Sequence, residues 1–146
     1  MISGINLALT GDAKASRLNA SASLDSAVLP QATISNVKLT AKSDSFNLAG
    51  RSGAVQIRLV TGEMVFANPD INRAVQGPVT IAAPLQITPD AIGFNGSTIE
   101  SASANGSLNG SYKLSDSGLT GNAKLSIEPA ALPPAVAGRF DTPIAI

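Results

Sequence analysis

Ser35 and Lys38 stand at the Ser-x-x-Lys spacing of a serine nucleophile with a lysine partner. The acyl-transfer chemistry of that pair needs both side chains on one helix face and a Lys-Thr-Gly companion. Here the tetrapeptide runs into alternating, strand-like residues, and no Lys-Thr-Gly is present. The chain has no His and no Cys, so it lacks the usual base for a serine nucleophile and the usual metal ligands. Its ten acidic residues are scattered. Asp12, Asp70, Asp90 and Asp116 sit beside Gly, Ser or Pro, as turn formers do. No catalytic residue, metal site or cofactor is expected, and the chain does not read as an enzyme.

Other motifs add little. Gly106 and Gly110 have a Gly-x-x-x-Gly spacing, but in polar sequence and not in an apolar helix. Asn19, Asn95, Asn105 and Asn109 each open an Asn-x-Ser sequon in a background rich in Asn and Ser. Net charge is zero, with no basic run and a single Tyr, which excludes a nucleic-acid footprint. The absence of Cys means no disulfide framework. No 18-residue apolar run is present, so no transmembrane helix is expected. Met1-Ile2-Ser3-Gly4 has neither a basic nor an apolar leader region. The 146 residues read as a segment of a larger protein, with any targeting signal outside it.

The elements are strands. In residues 18–25, Leu18, Ala20, Ala22 and Leu24 alternate with Asn, Ser and Ser. A period of two gives a strand one dry face and one wet face. Ile5, Leu7 and Leu9 alternate likewise, as do Val37, Leu39 and Ala41, then Val55, Ile57 and Leu59, and finally Ala123, Leu125 and Ile127. Phase shifts near Ser16 and Arg17, and near Ser35 and Asn36, suggest bulges or bends. Residues 68–78 carry Asn-Pro-Asp and Gly-Pro, and fit a loop with one helical turn. Pro84 favours an edge or a break. Asn95-Gly96, Asn105-Gly106 and Asn109-Gly110 are hairpin signals, which require antiparallel neighbours. Residues 9–32 and 119–135 form a weak internal repeat.

The dry face is unusual in its size. The chain has 23 Ala against four Phe, one Tyr and no Trp. Sheets packed face to face lie about 10 Å apart and need bulky side chains between them. A face built on Ala leaves that space open, for a tight coil or for a ligand. The expected fold is all-β: a curved antiparallel sheet with an apolar interior. A β-solenoid and a β-sandwich are the alternatives. The expected lining is Leu18, Ala20, Ala22, Leu24, Val37, Leu39, Val55, Ile57, Leu59, Ala123, Leu125 and Ile127.

Three stretches carry a resemblance: Leu9-Thr10-Gly11-Asp12-Ala13-Lys14-Ala15, Ile34-Ser35-Asn36-Val37-Lys38-Leu39-Thr40-Ala41-Lys42 and Ser107-Leu108-Asn109-Gly110-Ser111-Tyr112-Lys113-Leu114. Their texture is similar to periplasmic repeats of the AsmA-like group, which includes the translocation and assembly module family TamB. The resemblance implies a long sheet folded into a taco-like groove, apolar inside and polar outside. It implies the periplasmic part of an inner-membrane-anchored envelope protein. The partners it implies are phospholipid acyl chains, adjoining repeats of the same chain and an outer-membrane β-barrel. Residues 68–78 and 129–134 depart from a plain repeat. The alternative is a structural repeat of an adhesin or surface stalk, with a filled interior and no ligand.

Overall fold

Alternation becomes strand along almost the whole chain. The computed structural model describes residues 2–75, 77–128 and 144–145. Eleven strands form one sheet. They are β1 (Ile2–Asp12), β2 (Ala15–Leu29), β3 (Ala32–Asn47), β4 (Ser52–Val60), β5 (Glu63–Phe66), β6 (Thr80–Ile87), β7 (Ala91–Gly93), β8 (Ser97–Glu100), β9 (Ala104–Lys113), β10 (Leu119–Ile127) and β11 (Ile144–Ala145). Every strand pairing among the described residues is antiparallel. The sheet is single and curved, and the protein is all-β. Parallel solenoid coils and a second sandwich layer are both ruled out for the described residues.

Successive strands are neighbours, so the sheet is a meander. Two of its lanes are interrupted. β4 and β5 lie end to end along β3, and β7 and β8 lie end to end between β6 and β9. The first interruption falls at Thr61 and Gly62. There Thr61 is held by its N–H to the Val79 carbonyl at 2.9 Å, and its Oγ1 accepts from the Val79 N–H at 3.0 Å. The second falls at Phe94, Asn95 and Gly96, where the lane has one more residue than β6 opposite it. That bulge faces Pro84. On its other side Pro84 pairs in register with Gln56 of β4. Pro84 is therefore in an interior strand, not at an edge; the break it favours appears on one side only, where a proline cannot donate to the ladder.

The turns lie where short polar side chains hold the backbone. Asp12 Oδ1 accepts from Lys14 N–H at 2.8 Å and Ala15 N–H at 2.9 Å. Thr88 Oγ1 accepts from Ala91 N–H at 3.0 Å, and Asp116 Oδ1 from Gly118 N–H at 2.9 Å. Residues 68–78 hold the expected helical turn, α1 (Pro69–Val75). Asn68 caps it, accepting from Asp70 N–H at 2.9 Å, and Pro69 opens it where a missing N–H costs nothing.

The Asn-Gly signals are corrected by the structure. Asn105-Gly106 and Asn109-Gly110 lie inside β9 and turn nothing. Asn95-Gly96 forms the bulge within one lane and not a hairpin. The phase shift near Ser16 falls where the β2–β3 register shifts, between Ser16 and Leu18. Ala13 and Lys14 form a turn, and the extra residue in the ladder lies opposite, in β3 between Ser43 and Phe46. That bulge moves Phe46 onto the side of Val37, Leu39 and Ala41 despite its opposite parity. The two blocks of the internal repeat differ in placement: the first wraps the β1–β2 turn, whereas residues 119–126 run straight through β10. Residues 129–134 lie outside the described residues, as do the repeat positions beyond 128.

Candidate functional site: one apolar face

The register carries a single set of side chains across the sheet. Leu7 opposes Ala20, which opposes Ala41, which opposes Ile57, which opposes Ala83. One step along the strands, Ile5, Ala22, Leu39, Leu59 and Ile81 form the next row, which reaches Ile99 of β8. Residues directly opposite each other share a face. The far end continues the pattern, with Gly106 opposite Leu125 and Leu108 opposite Ala123. Leu18, Ala20, Ala22, Leu24, Val37, Leu39, Val55, Ile57, Leu59, Ala123, Leu125 and Ile127 all fall on this face. The opposite face carries Asn19, Lys42 and Gln56 in one row and Ser21, Thr40 and Arg58 in the next.

Burial identifies the concave side. Six described residues are buried: Ser16, Ser43, Val55, Thr61, Val79 and Ser97. Ser16, Ser43, Val55 and Ser97 are on the apolar face by register, and Thr61 and Val79 by alternation from Leu59 and Ile81. A single sheet has no second layer to cover its side chains. Among the described strands it is neighbours on the same face that bury them, as in a sheet that closes toward this side. Two aromatic rings assist. Phe46 lies against Gly53, where an added Cβ would come within 2.8 Å of the ring. Phe94 lies against Gly110, at the same 2.8 Å. Covering a strand glycine with an aromatic ring replaces the packing that glycine lacks.

Closure is incomplete. Val55 is 6% exposed in the middle of the face, but Ile5 is 75%, Leu7 69% and Leu9 52% exposed at one end. Leu119, at the other end, is 69% exposed. Between Ile5, Leu7 and Leu39 lies a shallow hollow of about 200 Å³, floored by Ala20, Ala22 and Ala41. The small side chains leave the opening that composition suggested. Single exposed apolar residues are ordinary; here Ile5, Leu7 and Leu9 form a contiguous run.

One part of the face departs from the pattern. Asn36 is in the left-handed region, with φ 50°, beside the Thr61–Gly62 interruption. Beyond it Ala27 pairs with Ile34 and Ile34 with Met64, and all three are half-buried, whereas Val28 is 80% exposed. The least exposed positions have changed parity with no change in residue count. This is the phase shift legible at Ser35 and Asn36.

Ser35 and Lys38 lie in β3. They therefore lack the shared helix face that their acyl-transfer chemistry needs. No protein-family model matches this sequence, and neither curated proteins nor solved structures give a match.

Proposed function

We propose that this chain is a segment of a periplasmic lipid-transfer bridge or outer-membrane assembly factor that holds acyl chains on its apolar face. The observation that carries the reading is the largely apolar face of a single curved sheet, left bare at its ends. The lining needs no polar contact to do this. Each CH₂ taken from water contributes about 0.8 kcal/mol, so a hollow floored by alanines binds a chain without reading its chemistry. Phospholipid acyl chains are the ligand, adjoining repeats of the same chain extend the groove, and an outer-membrane β-barrel is the further partner. No catalytic residue and no cofactor enter this reading. The AsmA-like and TamB texture of the sequence supports it, as does a polar convex side that carries Ser21, Thr40 and Asn19 beside Lys42 and Arg58.

Photocrosslinking from Val37, Ile57 and Leu125 in cells tests the proposal. Adducts to phospholipid at these positions are expected. Failure at all three, with adducts to protein alone, would favour the filled, ligand-free stalk.

A further inference from the structure

We propose that Asn95 is a modification site, a point of spontaneous deamidation, and that the Asn109 side chain sets its rate. Asparagine is a thermally labile residue, most of all before glycine, which has no Cβ to crowd the reaction. The backbone nitrogen of the glycine, once it has lost its proton, attacks the asparagine Cγ. A C–N bond closes a succinimide ring, and the side-chain nitrogen leaves as ammonia. Water then opens the ring at either carbonyl to give aspartate or isoaspartate. One carboxamide and one water are consumed, and one carboxylate and one ammonium are formed.

The sheet treats the three Asn-Gly pairs of the chain differently. Asn105-Gly106 and Asn109-Gly110 are inside β9, where Gly106 opposes Leu125 and Gly110 opposes Gly121 of β10. Ring closure there would have to break the ladder. Asn95-Gly96 lies in the bulge between β7 and β8, is exposed, and is not paired in a ladder. Gly96 has φ 79°, in the left-handed region. No hydrogen bond among the described residues holds the Asn95 carboxamide. It lines a polar hollow of about 230 Å³ with Asn109, Ser111, Thr120 and Asn122, where water reaches the ring. One contact restrains the nucleophile: Gly96 N–H donates to Asn109 Oδ1 at 2.7 Å. That bond keeps the proton on the nitrogen and fixes the peptide plane, and both must change before attack. Asn109 is therefore a positioning residue that slows the reaction at its neighbour. This inference does not rest on the lipid reading.

Incubation of the purified chain in heavy-oxygen water at mildly alkaline pH tests the proposal, with peptide mapping by mass spectrometry to place each labelled carboxylate. In the folded chain, label is expected at Asn95 and not at Asn105 or Asn109; in urea, all three should react. Asn109→Ala should raise the rate at Asn95 several-fold. Asn109→Asp keeps an acceptor oxygen and makes the bond charge-assisted, so its rate at Asn95 should not exceed that of the unmodified chain. Circular dichroism checks that the sheet is intact in both variants. No label at Asn95 in the folded chain, or label at Asn105 or Asn109 at an equal rate, would overturn the assignment of the site. An unchanged rate in Asn109→Ala would overturn the restraint. Equal acceleration in Asn109→Asp would also overturn it, because a loosened sheet and not the lost bond would then set the rate.

Discussion

The middle of the apolar face and its β1 end are built from the same alternation and have opposite environments. In the middle, Val55 sits between the rows of β3 and β6 and is buried. At the end, Leu7 has a neighbouring strand on one side only among the described residues and is mostly exposed. Residue type does not make the difference, since the exposed Leu7 is larger than the buried Val55. Curvature and the number of neighbouring lanes do. One pattern thus supplies a core where the sheet closes and a bare apolar surface where it opens.

The largest effect should come from a charge. Val55→Asp places an unpaired carboxylate in the closed part of the face, where desolvation costs several kcal/mol; loss of the cooperative unfolding transition is expected. Leu7→Asp should leave that transition nearly unchanged, because a substitution at an exposed site away from packing features stays within about 0.5 kcal/mol. Equal damage at both positions in urea denaturation would erase the comparison.

Gly110→Val is expected to be the next most severe. A Cβ there would overlap the Thr120 carbonyl oxygen and press on Phe94. Overpacking commonly costs about 1–3 kcal/mol, and contact with backbone puts this change at the upper end. Hydrogen exchange should show the loss concentrated in β9 and β10. Thr61→Val removes the acceptor for the buried Val79 N–H while keeping the shape. An unsatisfied buried donor costs about 1–3 kcal/mol, and the shift in denaturation midpoint measures it. Ser43→Ala should be the mildest. Its buried hydroxyl has no hydrogen-bond partner, so removing it should be neutral or stabilise by up to about 1 kcal/mol. A clear destabilisation would mean that the hydroxyl contributes to closure.

The face was legible in the sequence because alternation is a local property, and each strand declares its own dry side. Antiparallel pairing then had few ways to place Leu18, Ala41 and Ile57 except together. The lane breaks at Thr61 and Gly62, and at Phe94 to Gly96, were not legible. They answer to neighbours: Val79 in one case, Pro84 in the other. The Asn-Gly pairs misled for a related reason. Their composition speaks of turn geometry, but Gly106 and Gly110 are required by the close approach of β10, where the Lys124 and Thr120 carbonyls leave no room for a Cβ. The turn at Asp12 was legible because its holding group is the aspartate itself. The irregularity at Ser16 to Leu18 was legible as a broken alternation, but a phase shift does not show which partner carries the extra residue, and that partner is β3.

The central claim is that the open part of the concave face holds acyl chains. The most direct measurement pairs adjacent positions on opposite faces. A photoreactive residue is placed at Leu39 or Leu125 on the apolar face, and at Thr40 or Lys124 on the other, and the purified chain is irradiated with phospholipid vesicles. Phospholipid adducts at Leu39 and Leu125, with little at Thr40 and Lys124, are predicted. Equal labelling of both faces, or none at Leu39 and Leu125, would contradict the account.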